Sequence, residues 1–155
     1  MSDITDKDPV THGACLCGGL RFRILGELAP IQVCHCSQCR RAQGGPFATN
    51  IPVERAALRI DAGEDLIKAY ESSPGKRRVF CSVCASPFYS ERDSLPGVVR
   101  IRAGLLAEPV VSHLEFQAYV GSKASWWGVD EGLEQHEEAH VPALPLSDRP
   151  LRPGA

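Results

Sequence analysis

Cys34-His35-Cys36-Ser37-Gln38-Cys39-Arg40-Arg41 places three thiols within six positions, spaced C-x-C-x-x-C. The residues before it, Ile31 and Val33, read as the end of a β-strand. Side chains alternate along a strand, so Cys34 and Cys36 share one face and His35 takes the other, where it packs or hydrogen-bonds. A tight turn through Ser37 and Gln38 returns Cys39 to the same point. Three sulfurs converging in this way make most of a tetrahedral zinc site and leave the fourth position to something else. Structural zinc sites are closed by four protein ligands, whereas catalytic ones keep a position for water or substrate. The count of three is therefore the functional clue.

Two further pairs flank this stretch, Cys15-Leu16-Cys17-Gly18-Gly19 before it and Cys81-Ser82-Val83-Cys84 after it. The seven cysteines thus divide into two, three and two. The outer pairs together make a four-thiolate site and the middle group a three-thiolate site, so two zinc ions are expected per chain. A disulfide framework is the ordinary alternative. It fits poorly, because seven is odd and the polar start Met1-Ser2-Asp3-Ile4-Thr5-Asp6 has no apolar signal region. The expectation is a cytoplasmic protein whose thiols stay reduced.

An apolar fraction of 43%, a charged fraction of 23% and 155 residues suit one globular domain with a real core. A net charge of -2 gives no electrostatic case for nucleic acid or an anionic membrane as main partner. No apolar run approaches the length that spans a bilayer. Along the chain, residues 1–11 read as a loose arm, 12–138 as one zinc-binding domain, and 139–155 as an extended tail broken by Pro142, Pro145, Pro150 and Pro153. Within the domain, 20–24 alternates apolar and basic residues as a half-buried strand does. Further short strands are expected at 31–34, 47–51 (stopped by Pro52), 57–60, 66–70, 76–80, 87–90, 98–102 and 113–119. One helical turn is expected at 40–43. Short strands at turn-rich spacing, with hardly a helix, predict an all-β domain of mainly antiparallel strands.

The ordered set Gly13-Ala14-Cys15-Leu16-Cys17-Gly18, Cys34-His35-Cys36-x-x-Cys39-Arg40 with Gly44, and Phe80-Cys81-x-x-Cys84 resembles the glutathione-dependent formaldehyde-activating enzyme family, which includes centromere protein V relatives. His113, the 122–126 segment and Asp130-Glu131-Gly132-Leu133 resemble it too, so the likeness runs from about His12 to His136. The resemblance implies a zinc-knuckle β-tent fold, shared with methionine-R-sulfoxide reductases and Rab-exchange chaperones. It implies a carbon–sulfur lyase, S-(hydroxymethyl)glutathione synthase, acting on formaldehyde and glutathione. By position it makes Cys15, Cys17, Cys81 and Cys84 the structural zinc ligands and Cys34, Cys36 and Cys39 the catalytic ones. One departure is that the third knuckle usually continues Cys-Gly, whereas Ala85 follows Cys84 here; alanine resists the left-handed turn that glycine suits.

Zinc at the triad favours the thiolate of a bound thiol, or alternatively polarises a carbonyl oxygen while a free thiolate attacks; the residues leave both open. Three thiolates and one zinc ion sum to -1, so nearby cations help. Arg40 and Arg41 are expected to supply that charge or to hold substrate carboxylates, with Arg77 and Arg78 near the other site. Trp126 and Trp127 are expected to be core or to wall a pocket. Two rival readings remain beside the enzyme: a zinc-stabilised binding module whose triad is closed by a fourth protein ligand, and thiol redox chemistry at Cys36 or Cys39.

Overall fold

The computed structural model describes residues 7–138. The expected prolyl tail, the first six residues of the expected arm and His140 lie outside the described residues. Strands occupy 44% against 14% helix, which places the fold in the all-β class.

Strands β1 (Val10–Ala14), β2 (Arg21–Leu25) and β5 (Leu58–Ala62) form a three-stranded antiparallel sheet in the order β1-β2-β5. The remaining strands are β3 (Ile31–Cys34), β4 (Ala48–Glu54), β6 (Ile67–Ser73), β7 (Lys76–Cys81), β8 (Pro87–Arg92), β9 (Val98–Arg102), β10 (Leu114–Ala118) and β11 (Glu134–Gln135). They form an eight-stranded sheet in the order β11-β10-β3-β4-β9-β8-β7-β6. Its neighbours are antiparallel except where β10 runs parallel to β3 and to β11. Helix α1 (Ser37–Gln43) follows β3.

Alternation decides which faces meet. In β2, Phe22 and Ile24 are buried while Arg21 and Arg23 are exposed. Their apolar side meets Ile51 and Val53 of β4, Val79 of β7, and Val99 and Ile101 of β9 in one core. The rings of Phe22 and Phe88 pack at a tilt of 42°, with centroids 4.6 Å apart. Gly13 permits this arrangement, since a Cβ there would stand 2.3 Å from Cζ of Phe22.

Three expectations are corrected. Val10 and Thr11, read as arm, belong to β1 and pair with Leu25 and Ile24. Pro52 does not stop its strand; β4 continues to Glu54, with Pro52 opposite Arg100 of β9. The missing N–H is tolerated because β3, the neighbour on the other side, pairs only as far as Asn50. Trp126 and Trp127 are not core residues, being 69% and 39% exposed. Among the described residues no helix is long and apolar enough to cross a membrane.

Candidate metal centres

Both cysteine clusters form where strands end. In the first, β1 runs into Cys15 and a turn carries Cys17, with the Gly18 N–H bonded to the Cys15 carbonyl at 3.0 Å. Gly18 takes φ 74°, the left-handed conformation that closes this knuckle. β7 delivers Cys81 to the same point, and a second knuckle carries Cys84, closed by the Ala85 N–H on the Cys81 carbonyl at 2.8 Å. Ala85 does adopt the left-handed backbone, with φ 62°. Ser86 ties the knuckles together: its hydroxyl accepts from the Leu16 N–H at 2.9 Å and lies 3.2 Å from the Cys84 sulfur. That hydroxyl contact is the main cause that holds the Cys84 thiol low, at about 5. The Leu20 N–H donates to Cys15 Sγ at 3.3 Å. All four sulfurs lie within 4.8 Å of one another. Tetrahedral zinc at ~2.3 Å from each sulfur needs S···S separations of about 3.8 Å, so this donor set fits a metal of that kind with little movement.

The second cluster joins β3 to α1. Cys34 ends β3, Cys36 caps the helix, and Cys39 sits within it. The Cys36 sulfur accepts from the Cys39 N–H at 3.3 Å, so one thiol both caps the helix and joins the cluster. The helix therefore begins at Ser37, earlier than the single turn expected at 40–43, and it replaces the tight turn that was to return Cys39. The three sulfurs lie within 4.8 Å of one another and are 5%, 1% and 2% exposed. Among the described residues no fourth His, Asp or Glu ligand atom joins them. The two cysteine clusters could each hold a metal ion, and their all-thiolate donor sets are consistent with zinc.

The cations come from an unexpected direction. Arg78, read as neighbouring the other cluster, places both Nη1 and Nη2 3.9 Å from Cys39 Sγ. Strand alternation explains the correction: Arg78 and Cys81 are three apart on β7 and so point to opposite faces. Arg77 is on the far face, bonded to Glu91 at 3.1 Å and Asp93 at 2.9 Å. Arg40 donates through Nε to the Ser122 carbonyl at 3.1 Å, and Arg41 is exposed.

Lys76, Arg92, Arg100 and Arg102 join Arg78 on the triad side of the sheet. The sequence carries the signal for this, basic residues at period two in 76–78 and 100–102, but such alternation ordinarily marks a solvated face. Here Lys76 and Arg102 are each only 5% exposed. Burial brings the Lys76 ammonium down to about 7, Arg100 to about 9 and Arg102 to about 10. The Cys39 thiol is held well below its usual range by hydrogen bonds from Cys34 and Cys36, with the charges of Lys76 and Arg78 adding to them.

His35 takes the face away from the thiols, fully buried, with Nε2 2.9 Å from Gln117 Oε1 and its ring edge-on to Phe47. His113 is exposed. Tyr119 had no distinguishing mark in the sequence. It packs with the three cysteines, is 2% exposed, and holds a left-handed φ of 57°.

The sequence model described as glutathione-dependent formaldehyde-activating enzyme matches residues 10–122. A Halomonas elongata protein whose name carries the same family designation is 36% identical over 86 residues, which is 50% of this chain and 54% of that protein. The chain thus spans about half the length of this curated relative. A crystal structure of a Rhodobacter sphaeroides protein superposes with a TM-score of 0.53 at 25% identity, over 64% of this chain and 89% of that one.

Proposed function

The chain belongs to the glutathione-dependent formaldehyde-activating enzyme family, and from that premise we propose that it is a zinc-dependent carbon–sulfur lyase joining formaldehyde, or a related small electrophile, to glutathione or a similar thiol. Cys15, Cys17, Cys81 and Cys84 hold a structural zinc ion in this reading, and Cys34, Cys36 and Cys39 hold the catalytic one. The observation that carries it is the contrast in donors, four thiols at one centre against three buried thiols at the other.

The addition balances without a redox partner. The thiol sulfur forms a bond to the carbonyl carbon, the C=O π pair moves to oxygen, and the proton released by the thiol ends on that oxygen. Zinc at the triad supplies a Lewis-acidic centre that favours the thiolate form of the substrate thiol. The chain's own residues set the conditions. Cys34 and Cys39 are anchored by β3 and α1, so their positions need little reorganisation. Arg78 offsets the negative charge that three thiolates bring to a divalent ion. Burial of the three sulfurs keeps the local dielectric low, which strengthens these interactions. Arg41, exposed on α1, and Arg40, half-buried beside it and bonded to the Ser122 carbonyl, are assigned to substrate carboxylates in this reading.

Cobalt substitution tests the reading. Adding glutathione to cobalt-loaded protein is expected to shift the sulfur-to-metal charge-transfer bands, with no such shift in Cys36→Ser. Bands that ignore every thiol would mean a closed centre, and the zinc-stabilised binding module would replace the enzyme.

A further inference from the structure

Strand β10 runs parallel to β3 with Ala118 opposite Cys34, so the residue after it arrives where the chain passes from Cys34 to Cys36. The His35 N–H donates to the Ala118 carbonyl at 2.9 Å and fixes that meeting. Tyr119 is the residue that arrives there. Its own N–H donates to the Glu138 carbonyl at 2.9 Å, and its carbonyl accepts from the Ser122 N–H at 2.9 Å. Between these two bonds the backbone is held at φ 57°. A left-handed φ is a genuine outlier for so bulky a residue, and such strain persists only where the surroundings over-determine it.

The side chain packs in one cluster with Cys34, Cys36 and Cys39, whose remaining members, Ala48, Phe116 and Ala118, carry no polar side-chain atom. Tyr119 is 2% exposed, and its hydroxyl has no hydrogen-bond partner among the described residues. A buried hydroxyl without an acceptor costs free energy, and phenylalanine would fill the same space without that cost. The unpaired donor therefore marks a place where an acceptor is missing. Burial pushes the hydroxyl's pKa up, and the charges of Cys34 and Cys36 add to the rise. The group thus stays an O–H donor, within electrostatic reach of the three-thiol centre.

We propose that the Tyr119 hydroxyl donates to the oxygen of the small carbonyl electrophile, which makes Tyr119 a catalytic residue of this centre. The inference rests on the triad being the place where thiol and electrophile join. As the thiol sulfur bonds to the carbonyl carbon, the C=O π pair moves to oxygen and negative charge passes from sulfur to oxygen. A donor fixed beside the oxygen is worth more at the end of that shift than at its start, which lowers the barrier. A donor on the sulfur does the reverse, because it holds the thiolate back, and sulfur is the poorer acceptor. The proton that completes the adduct comes from the thiol, and Tyr119 keeps its own. Electrophiles that develop no charge on oxygen, such as alkyl halides, gain nothing from this contact.

Tyr119→Phe removes the hydroxyl and keeps the ring. The zinc-loaded variant is expected to hold as much metal as wild type and to melt at the same temperature or above it. It is expected to lose at least about tenfold of the protein-dependent exchange between formaldehyde and S-(hydroxymethyl)glutathione. Glutathione titrated into the cobalt-loaded variant is expected to shift the charge-transfer bands at the wild-type concentration. Wild-type exchange by the folded variant overturns the proposal and leaves the thiol site standing. A loss of glutathione affinity that matches the loss of rate puts the donor on sulfur and overturns it too. A second readout needs no turnover. The chain has three tyrosines, so zinc-loaded protein labelled with 3-fluorotyrosine gives three fluorine resonances, assigned through Tyr70→Phe and Tyr89→Phe. Formate, which offers an anionic oxygen and no sulfur, is expected to move the Tyr119 resonance and to leave those of Tyr70 and Tyr89 in place. This arm decides where Tyr119→Phe does not fold. It decides also where wild type does not speed exchange: the lyase reading then falls, while a Tyr119 resonance that formate moves supports the oxygen contact. A Tyr119 resonance that formate leaves unmoved overturns the proposal.

Discussion

Both terminal nitrogens of the Arg78 guanidinium lie 3.9 Å from the Cys39 sulfur, although the two residues are 39 positions apart and sit on different elements. This contact links the cationic face of the sheet to the three-thiol centre. Metal loading requires all three sulfurs as thiolates, and an adjacent fixed cation favours that form.

Arg78→Gln is therefore expected to weaken metal retention at the triad alone, by about tenfold, the scale of one charge-assisted contact. Competition with a chromophoric chelator reads this directly. The expected trace has one metal ion released earlier than in wild type and the other unchanged. Release of both ions together, or no change, would count against the assigned role.

The two centres are expected to differ in what they hold together. Cys81 is fully buried in the core between the sheets, and its cluster ties the end of β1 to the end of β7. Cys81→Ser should lose cooperative unfolding, because metal binding at such a site is folding free energy. Cys36→Ser should retain one metal ion and a thermal midpoint close to that of wild type. Metal analysis and circular dichroism of both variants decide it; equal loss of fold would make the triad structural as well.

Ala85→Gly is expected to stabilise the protein by up to about 1 kcal/mol. Alanine at φ 62° carries a left-handed cost of roughly 1–2 kcal/mol, and glycine's extra freedom in the unfolded chain returns part of the gain. The urea midpoint should rise with an unchanged slope. A lower midpoint would mean that the Ala85 methyl group contributes packing that outweighs the strain.

The cysteine spacing made both clusters legible, because C-x-C and C-x-x-C pairs at strand ends have few other uses. The alternation of Phe22 and Ile24 with Arg21 and Arg23 made β2 legible in the same way. The cationic face was not legible. Basic residues at alternate positions in β7 and β9 look alike whether they face water or a buried centre, and only the order of the strands sets them beside Cys34. Pro52 misled for a related reason, since tolerance of a missing N–H depends on where the neighbouring strand stops. The helix start escaped notice because the Cys36 sulfur acts as the cap, a role usually taken by an oxygen. Tyr119 owes its left-handed backbone to the chain leaving β10, which no local residue pattern announced.

In the proposed reaction the triad speeds the joining of a thiol to a small aldehyde. Since the adduct also forms without protein, the direct measurement is the exchange rate at equilibrium among glutathione, formaldehyde and S-(hydroxymethyl)glutathione, followed by magnetisation transfer. Zinc-loaded wild type is expected to raise that rate above buffer, and Cys36→Ser at equal concentration is expected to leave it at the buffer value. Wild type, variant and buffer exchanging at one rate would contradict formaldehyde activation by this protein.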